Sequence, residues 1–335
     1  MRVIDLNFEH IYTRGNHSLI WGGEYKNSLN KFNSEGTLFN LALSPERKTD
    51  EVYNFFIQDD ISFFDGSFIL TPGFKYGHND YTDSTYQPSI RGAYFPNDEV
   101  TLWAAATRSE AEPSRLAIDG YLNVNDFNAF CSFVPGLTDD PALGCIIPFL
   151  EETDTVQSNI IGTYELGYRH KLSDRLIIDN TIFYDDYIRE GNDGTDAKYL
   201  YGYEFNSKFQ ALRDWTLDFS YVYHHGRNEK EKPNTAMTSL PKHTILASSY
   251  YTLMDNTDFD LSYYFLDKTG GNPSSKVDSY SRVDFRIEHR PMKDLRISVT
   301  AQNIFEDEHI ESNYDTVRGN SVVERSFIGK VTYEF

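Results

Sequence analysis

The stretch Tyr199-Leu-Tyr-Gly-Tyr-Glu-Phe-Asn-Ser-Lys-Phe209 puts an aromatic ring at 199, 201, 203, 205 and 209, with Glu204, Asn206 and Lys208 between them. A period of two sends successive side chains to opposite faces of an extended chain, so this run predicts a strand with one aromatic face and one polar face. The next run repeats the pattern: Trp215, Leu217, Phe219, Tyr221 and Tyr223 alternate with Thr216, Asp218, Ser220 and His224. Val283, Phe285 and Ile287 alternate with Arg282, Asp284, Arg286, Glu288 and Arg290, and Leu295, Ile297, Val299 and Ala301 with Arg296, Ser298, Thr300 and Gln302. One face suits an apolar medium; the other is densely charged.

Alternation also describes a soluble β-sandwich, with polar side chains outside and apolar ones within. The connections separate the two. Tight polar turns are predicted at Arg14–His17, Phe64–Ser67, Pro96–Glu99, Ser173–Arg175, Arg213–Asp214, Asp255–Thr257 and Met292–Asp294. Longer connections are predicted near 29–49, 110–157, 188–198, 227–240, 268–277 and 306–322. Short turns alternating with long loops are the arrangement of a transmembrane β-barrel, with periplasmic turns at one rim and extracellular loops at the other. The count is about fifteen strands, most long enough to meet the roughly 9–11 residues that a tilted strand needs to cross the hydrocarbon. The fold class expected is all-β, an antiparallel transmembrane barrel in one domain. Pro72 and Pro88 fall inside strand-like runs and weaken those two spans, because proline cannot donate to a ladder.

Only 39% of the residues are apolar, and no run nears the roughly 18 that a membrane helix requires. A barrel escapes that test, since every second residue faces lipid, and 24 Tyr and 24 Phe are enough for two aromatic girdles. The formal charge of −20 argues against nucleic acid as a partner, because phosphate binding needs a basic surface. Cys131 and Cys145 lie in one loop-like stretch and suit a disulfide in an oxidising compartment, with two free thiols or a metal site as the alternatives. A bridge there would stabilise by about 3 kcal/mol in the chain-entropy account. No signal peptide precedes the first strand pattern, and fifteen is odd where bacterial barrels have even strand numbers. Both features lead to the expectation that the N-terminus is truncated.

The chain ends Gly329-Lys-Val-Thr-Tyr-Glu-Phe335, with Val331, Tyr333 and Phe335 on one face. This resembles the C-terminal signal read by the outer-membrane barrel-assembly machinery. Phe56-Ile-Gln-Asp-Asp-Ile61, which holds Gln58 and Asp59, resembles the F-x-Q-D-x-I strand of TonB-dependent receptors. Thr107-Arg-Ser-Glu-Ala-Glu-Pro-Ser-Arg-Leu116, with Arg108, Pro113 and Ser114, is similar to the family's R-x-P-S-L passage. Pro241-Lys-His-Thr244 is similar to its P-x-H pattern, and Ala301-Gln-Asn-Ile-Phe-Glu-Asp307, with Asn303 and Phe305, to its N-L-F-D element. Together these cover about residues 50–335 in family order.

The resemblance departs at Glu110–Glu112, where the family usually has aromatic or basic residues. It implies a barrel of about 22 strands around an N-terminal plug. Some seven strands, the plug and the TonB-binding segment are then missing, and residues 1–335 are read as the C-terminal portion of the barrel. The first and last strands are accordingly expected as unpaired edges, which lipid disfavours strongly.

No catalytic constellation is legible: there is no phosphate loop, nucleophile elbow or zinc-protease helix. No cofactor or metal site is expected, and the chain is not read as an enzyme. Asp59 and Asp60 should point to opposite faces, as should His224 and His225. Arg169, Lys171, Lys208, Arg282, Arg286, Glu204, Asp284 and Glu288 are expected to line a hydrated lumen. The segment 110–157 carries nine acids against Arg115, and 306–322 five against Arg318. Such loops repel anions over about 8 Å at physiological ionic strength; they are either solvated faces or holders of divalent cations near lipopolysaccharide.

The resemblance implies an outer-membrane receptor of a Gram-negative bacterium, lodged in lipid and lipopolysaccharide. Such a receptor takes up a scarce nutrient through the TonB complex. A ferric siderophore, a small metal chelate, is the commonest cargo; cobalamin, haem and oligosaccharide are alternatives. A passive porin-like channel is the main rival, and a barrel enzyme or adhesin the third.

Overall fold

The computed structural model describes residues 2–31, 39–112, 114–124, 138–140, 144–148, 158–189, 197–228, 240–269, 276–313 and 320–334. Cys131, Pro113 and Phe335 lie outside them. So does the side chain of Cys145, whose backbone is in a strand, and the disulfide expectation therefore falls outside the described residues.

Fifteen strands form one antiparallel sheet in which each pairs with its neighbour in sequence. They are β1 (Arg2–Arg14), β2 (His17–Lys31), β3 (Arg47–Phe63), β4 (Phe68–Asn79), β5 (Asp83–Asn97), β6 (Val100–Ala111), β7 (Asn159–Ser173) and β8 (Leu176–Arg189). The second half holds β9 (Ala197–Leu212), β10 (Trp215–Asn228), β11 (His243–Met254), β12 (Thr257–Leu266), β13 (Tyr280–Met292), β14 (Leu295–Gln302) and β15 (Ser326–Tyr333). The period-two runs are these strands. Tyr201 lies opposite His225 and Tyr184, while Glu204 lies opposite Val222 and Thr181, so aromatic and polar sets keep to separate faces across successive ladders. β1 and β15 are the two edges and are not paired with each other, as expected of them.

Among the described residues no second sheet covers the apolar face, which a sandwich would require. Tyr164, Leu166, Ile182 and Val299 stand about half exposed on it. An apolar face of this extent in water would be a liability, and in a hydrocarbon medium it is solvated. Among the described residues no helix is long and apolar enough to cross a membrane.

Three expectations are corrected. The β4–β5 connection, at the rim that carries the long loops, is a three-residue turn, so short and long connections do not alternate throughout. Asn79 closes it: its Oδ1 accepts the N–H groups of Tyr81 and Thr82 at 2.8 and 2.9 Å, an Asx turn that leaves no need for a loop. Pro72 and Pro88 do not interrupt their strands. The sheet accommodates each by dropping local pairing: Asp59 and Asp60 have no partner opposite Thr71 and Pro72, and β5 joins β6 only from Ser89 onward. Finally, the long connections contain strands of their own. Phe39–Leu43, Gly120–Val124, Gly144–Pro148 and Thr138–Asp140 make a four-stranded sheet, and Glu308–Asn313 pairs with Asn320–Glu324. Phe39–Leu43 and Gly120–Val124 join residues distant in sequence, so no local period announces their pairing.

Candidate functional site

The polar face of the main sheet carries the side chains with chemistry. Its centre is an ion-pair ladder over β12 and β13. Arg286 Nη1 meets Asp260 at 2.9 Å and its second nitrogen contacts Glu288; Arg290 meets Asp258 at 2.6 Å; Arg282 holds Asp284 through two bonds of 2.6 and 2.8 Å. Strand pairing makes this arrangement: Asp260 lies directly opposite Arg286, and Asp258, which lies opposite Glu288, is reached diagonally by Arg290. On the other flank Arg169 Nε meets Asp179 at 2.7 Å across β7–β8. Hollows of about 590 and 310 Å³ open on this face. Arg169, Asp179, Lys208 and Asp218 line the first, and Arg286, Arg296, Ser298 and Lys330 the second. Cations and carboxylates here largely neutralise each other, so the wall suits hydration and polar partners rather than acid–base catalysis. Among the described residues no three His, Cys, Asp or Glu are grouped to hold a metal.

The residues singled out by sequence do not gather at one place. Asp59 and Asp60 point to opposite faces. Asp59 is on the apolar side at the turn rim, where it bonds His17 Nδ1 at 2.6 Å; Asp60 is on the polar side, where it accepts from Thr71 at 2.7 Å and Gln58 at 3.4 Å. His224 packs edge-on against Phe183 while His225 faces Tyr201 on the other side. Val331 and Tyr333 pair with Ile297 and Leu295 on the exposed apolar face of the edge strand. Phe305 is 77% exposed beyond β14.

Asn303 has a structural task. It sits just past β14 at φ 53° and is 1% exposed. Its N–H donates to Asp284 at 3.0 Å and its Nδ2 to the Val323 carbonyl at 3.3 Å, fastening the β14–β15 connection to β13. Asparagine tolerates left-handed backbone and carries the needed donor. Asn303→Ala is expected to cost about 2 kcal/mol, from strain and a lost buried bond, as a lowered urea midpoint in lipid vesicles.

Arg108 belongs to a clasp that sequence reading missed. Residues two apart point their N–H groups to the same neighbour, and Tyr86 points to β6; the missing donor of Pro88 therefore faces β6 too. Above that gap, side chains replace the ladder. Glu110 accepts the Tyr86 N–H at 3.4 Å, Arg108 donates to the Tyr86 carbonyl and to Glu110 at 2.9 Å, and Ser158 donates to Glu110. The departure at Glu110 is thus a hydrogen-bonding substitute, and Pro88 inside a strand was its signal. Ser114 heads the short helix Arg115–Asp119, its carbonyl accepting from Ile118.

At the loop rim Asp119 takes Lys48 at 3.1 Å and Arg115 at 3.2 Å. Lys48 lies over the Tyr81 ring at 4.1 Å, and Tyr81 donates to Asp50 at 2.7 Å. Burial and that bond push the Tyr81 phenol well above its ordinary range, so it remains a donor throughout the physiological interval.

Comparison with known proteins agrees with this architecture. No curated protein matches the sequence. Among solved structures, the siderophore receptor PirA from Acinetobacter baumannii aligns with a TM-score of 0.75 at 15% identity, over 99% of this chain and 54% of that one. A variant of the ferric enterobactin receptor PfeA from Pseudomonas aeruginosa gives 0.71 at 15%, over 99% and 53%. The ferric-catecholate import receptor Fiu from E. coli K12 gives 0.68 at 13%, over 99% and 54%. The chain thus spans about half the length of the solved receptors it matches. At such identities the likeness shows the fold: the sheet is barrel wall, its apolar face turned to lipid and its polar face to the lumen. The family model described as TonB dependent receptor-like, beta-barrel, matches residues 2–304, and the chain belongs to that family.

Proposed function

We propose that the chain forms wall and outer rim of an outer-membrane receptor that takes up a scarce nutrient by TonB-coupled active transport, with a ferric siderophore as cargo. The observation that carries this is the alignment of nearly the whole chain with receptors whose names specify siderophores or ferric catecholates. The charge-neutralised polar wall is consistent with it, since a hydrated lumen that contacts protein and passing solute needs polar groups without strong fixed charge. In this reading the chain is the C-terminal portion of a larger barrel. Its lumen face meets a plug, its apolar face meets lipid and lipopolysaccharide, and Val331, Tyr333 and Phe335 engage the assembly machinery. Arg108, Asn303 and Gln58 serve the wall, and cargo recognition falls to the rim and plug.

Deleting the gene in its source bacterium and measuring uptake of radioactive iron supplied as siderophore complexes tests the reading. Uptake of at least one complex is expected to fall to background in the deletion strain and, in the parent, on adding a protonophore. Uptake that survives the protonophore would move the protein to a passive channel. Unchanged iron uptake with lost cobalamin, haem or oligosaccharide uptake would change the cargo and keep the mechanism.

A further inference from the structure

We infer that the rim strands Phe39–Leu43 and Gly120–Val124, which belong to two different outer connections, move as one body latched to the barrel wall at Asp119. The two strands pair in register from Phe39 opposite Val124 to Leu43 opposite Gly120, so neither can shift without breaking a continuous ladder. The pairing ends directly on the latch: the Ser44 N–H donates to the Asp119 carbonyl at 2.8 Å. The Asp119 carboxylate, with its side chain 11% exposed, then receives Lys48 from the start of β3 and Arg115 from its own helix. Arg115 also donates to the Pro45 carbonyl, so the cation bridges both connections. The abutment is a third element, the tight β4–β5 turn, which holds Lys48 over Tyr81 and Tyr81 on Asp50.

Asp119 is therefore the point where two rim segments and the wall meet. A half-exposed ion pair between single side chains contributes little, whereas a mostly buried carboxylate shared by two cations and a backbone contact couples its partners. Anything that displaces one rim strand, a solute arriving at the mouth included, displaces the other. The body comprises rim strands from the β2–β3 and β6–β7 connections, and among the described residues none of its strand pairings reaches β8–β12.

Hydrogen exchange of the full-length receptor in outer-membrane vesicles tests the latch. With Asp119→Ala, the amides of 39–43 and 120–124 are expected to lose protection together, at least tenfold, while β8–β12 keep theirs. Faster exchange in one strand alone, or in neither, overturns the proposal. If β8–β12 also lose protection the variant has unfolded broadly, and Lys48→Gln, which leaves Arg115 on Asp119, decides. It must loosen both strands by a smaller and equal factor, and unequal factors would refute a single body.

Discussion

Glu110→Ala is expected to lower the stability of the barrel wall by about 3 kcal/mol, read as a fall in urea midpoint in lipid vesicles. The Glu110 side chain is 6% exposed and stands where β5 and β6 are not paired. Removing it strips the Tyr86 N–H of its acceptor and leaves the guanidinium of Arg108 beside a void. Breaking the pair from one side also leaves the Arg108 guanidinium, 31% exposed, with part of its desolvation penalty uncompensated, on top of the lost hydrogen bonds. Glu110→Gln retains an acceptor of the same shape and should lose only about 1 kcal/mol. Pro88→Val supplies the missing backbone donor, so in the Glu110→Ala background it should recover part of the loss. If Glu110→Ala leaves the midpoint unchanged, the clasp has no energetic role.

Gly167→Ala is expected to be at least as damaging, about 3 kcal/mol or more. A Cβ at Gly167 would lie 2.0 Å from the Trp103 ring, which crosses directly over the glycine on the lumen face. The same device recurs at Gly202, where the Phe183 ring lies 2.4 Å from the position of an added Cβ. A methyl at 167 forces the indole off its rotamer or parts β6 from β7. The double variant Gly167→Ala, Trp103→Ala removes the clash, so its midpoint should lie above that of Gly167→Ala alone. Additive losses would show that the ring does not depend on the bare glycine.

Much of the fold was legible because a sheet one residue thick displays its environment in every side chain. The aromatic run Tyr199–Phe209 states both the strand and its two solvents, and the tight turns set the strand order. The resemblance at Gln58, Arg108 and Asn303 indicated the family without revealing what those residues do. The single-letter pattern shows a left-handed asparagine and a loop asparagine identically, and only backbone geometry distinguishes Asn303.

The sequence by itself determined the period, the number of strands in the main sheet, their antiparallel order and which face is apolar, all of which depend on residues near one another in the chain. Tertiary structure alone decided what joins residues far apart. Pro88 required a substitute from Arg108 and Glu110, Trp103 found its gap at Gly167, and Asp119 gathered Lys48 across 71 positions. The physical reason is that local alternation follows from backbone geometry, whereas these contacts depend on strand register and on how the rim connections fold back, and neither leaves a periodic trace.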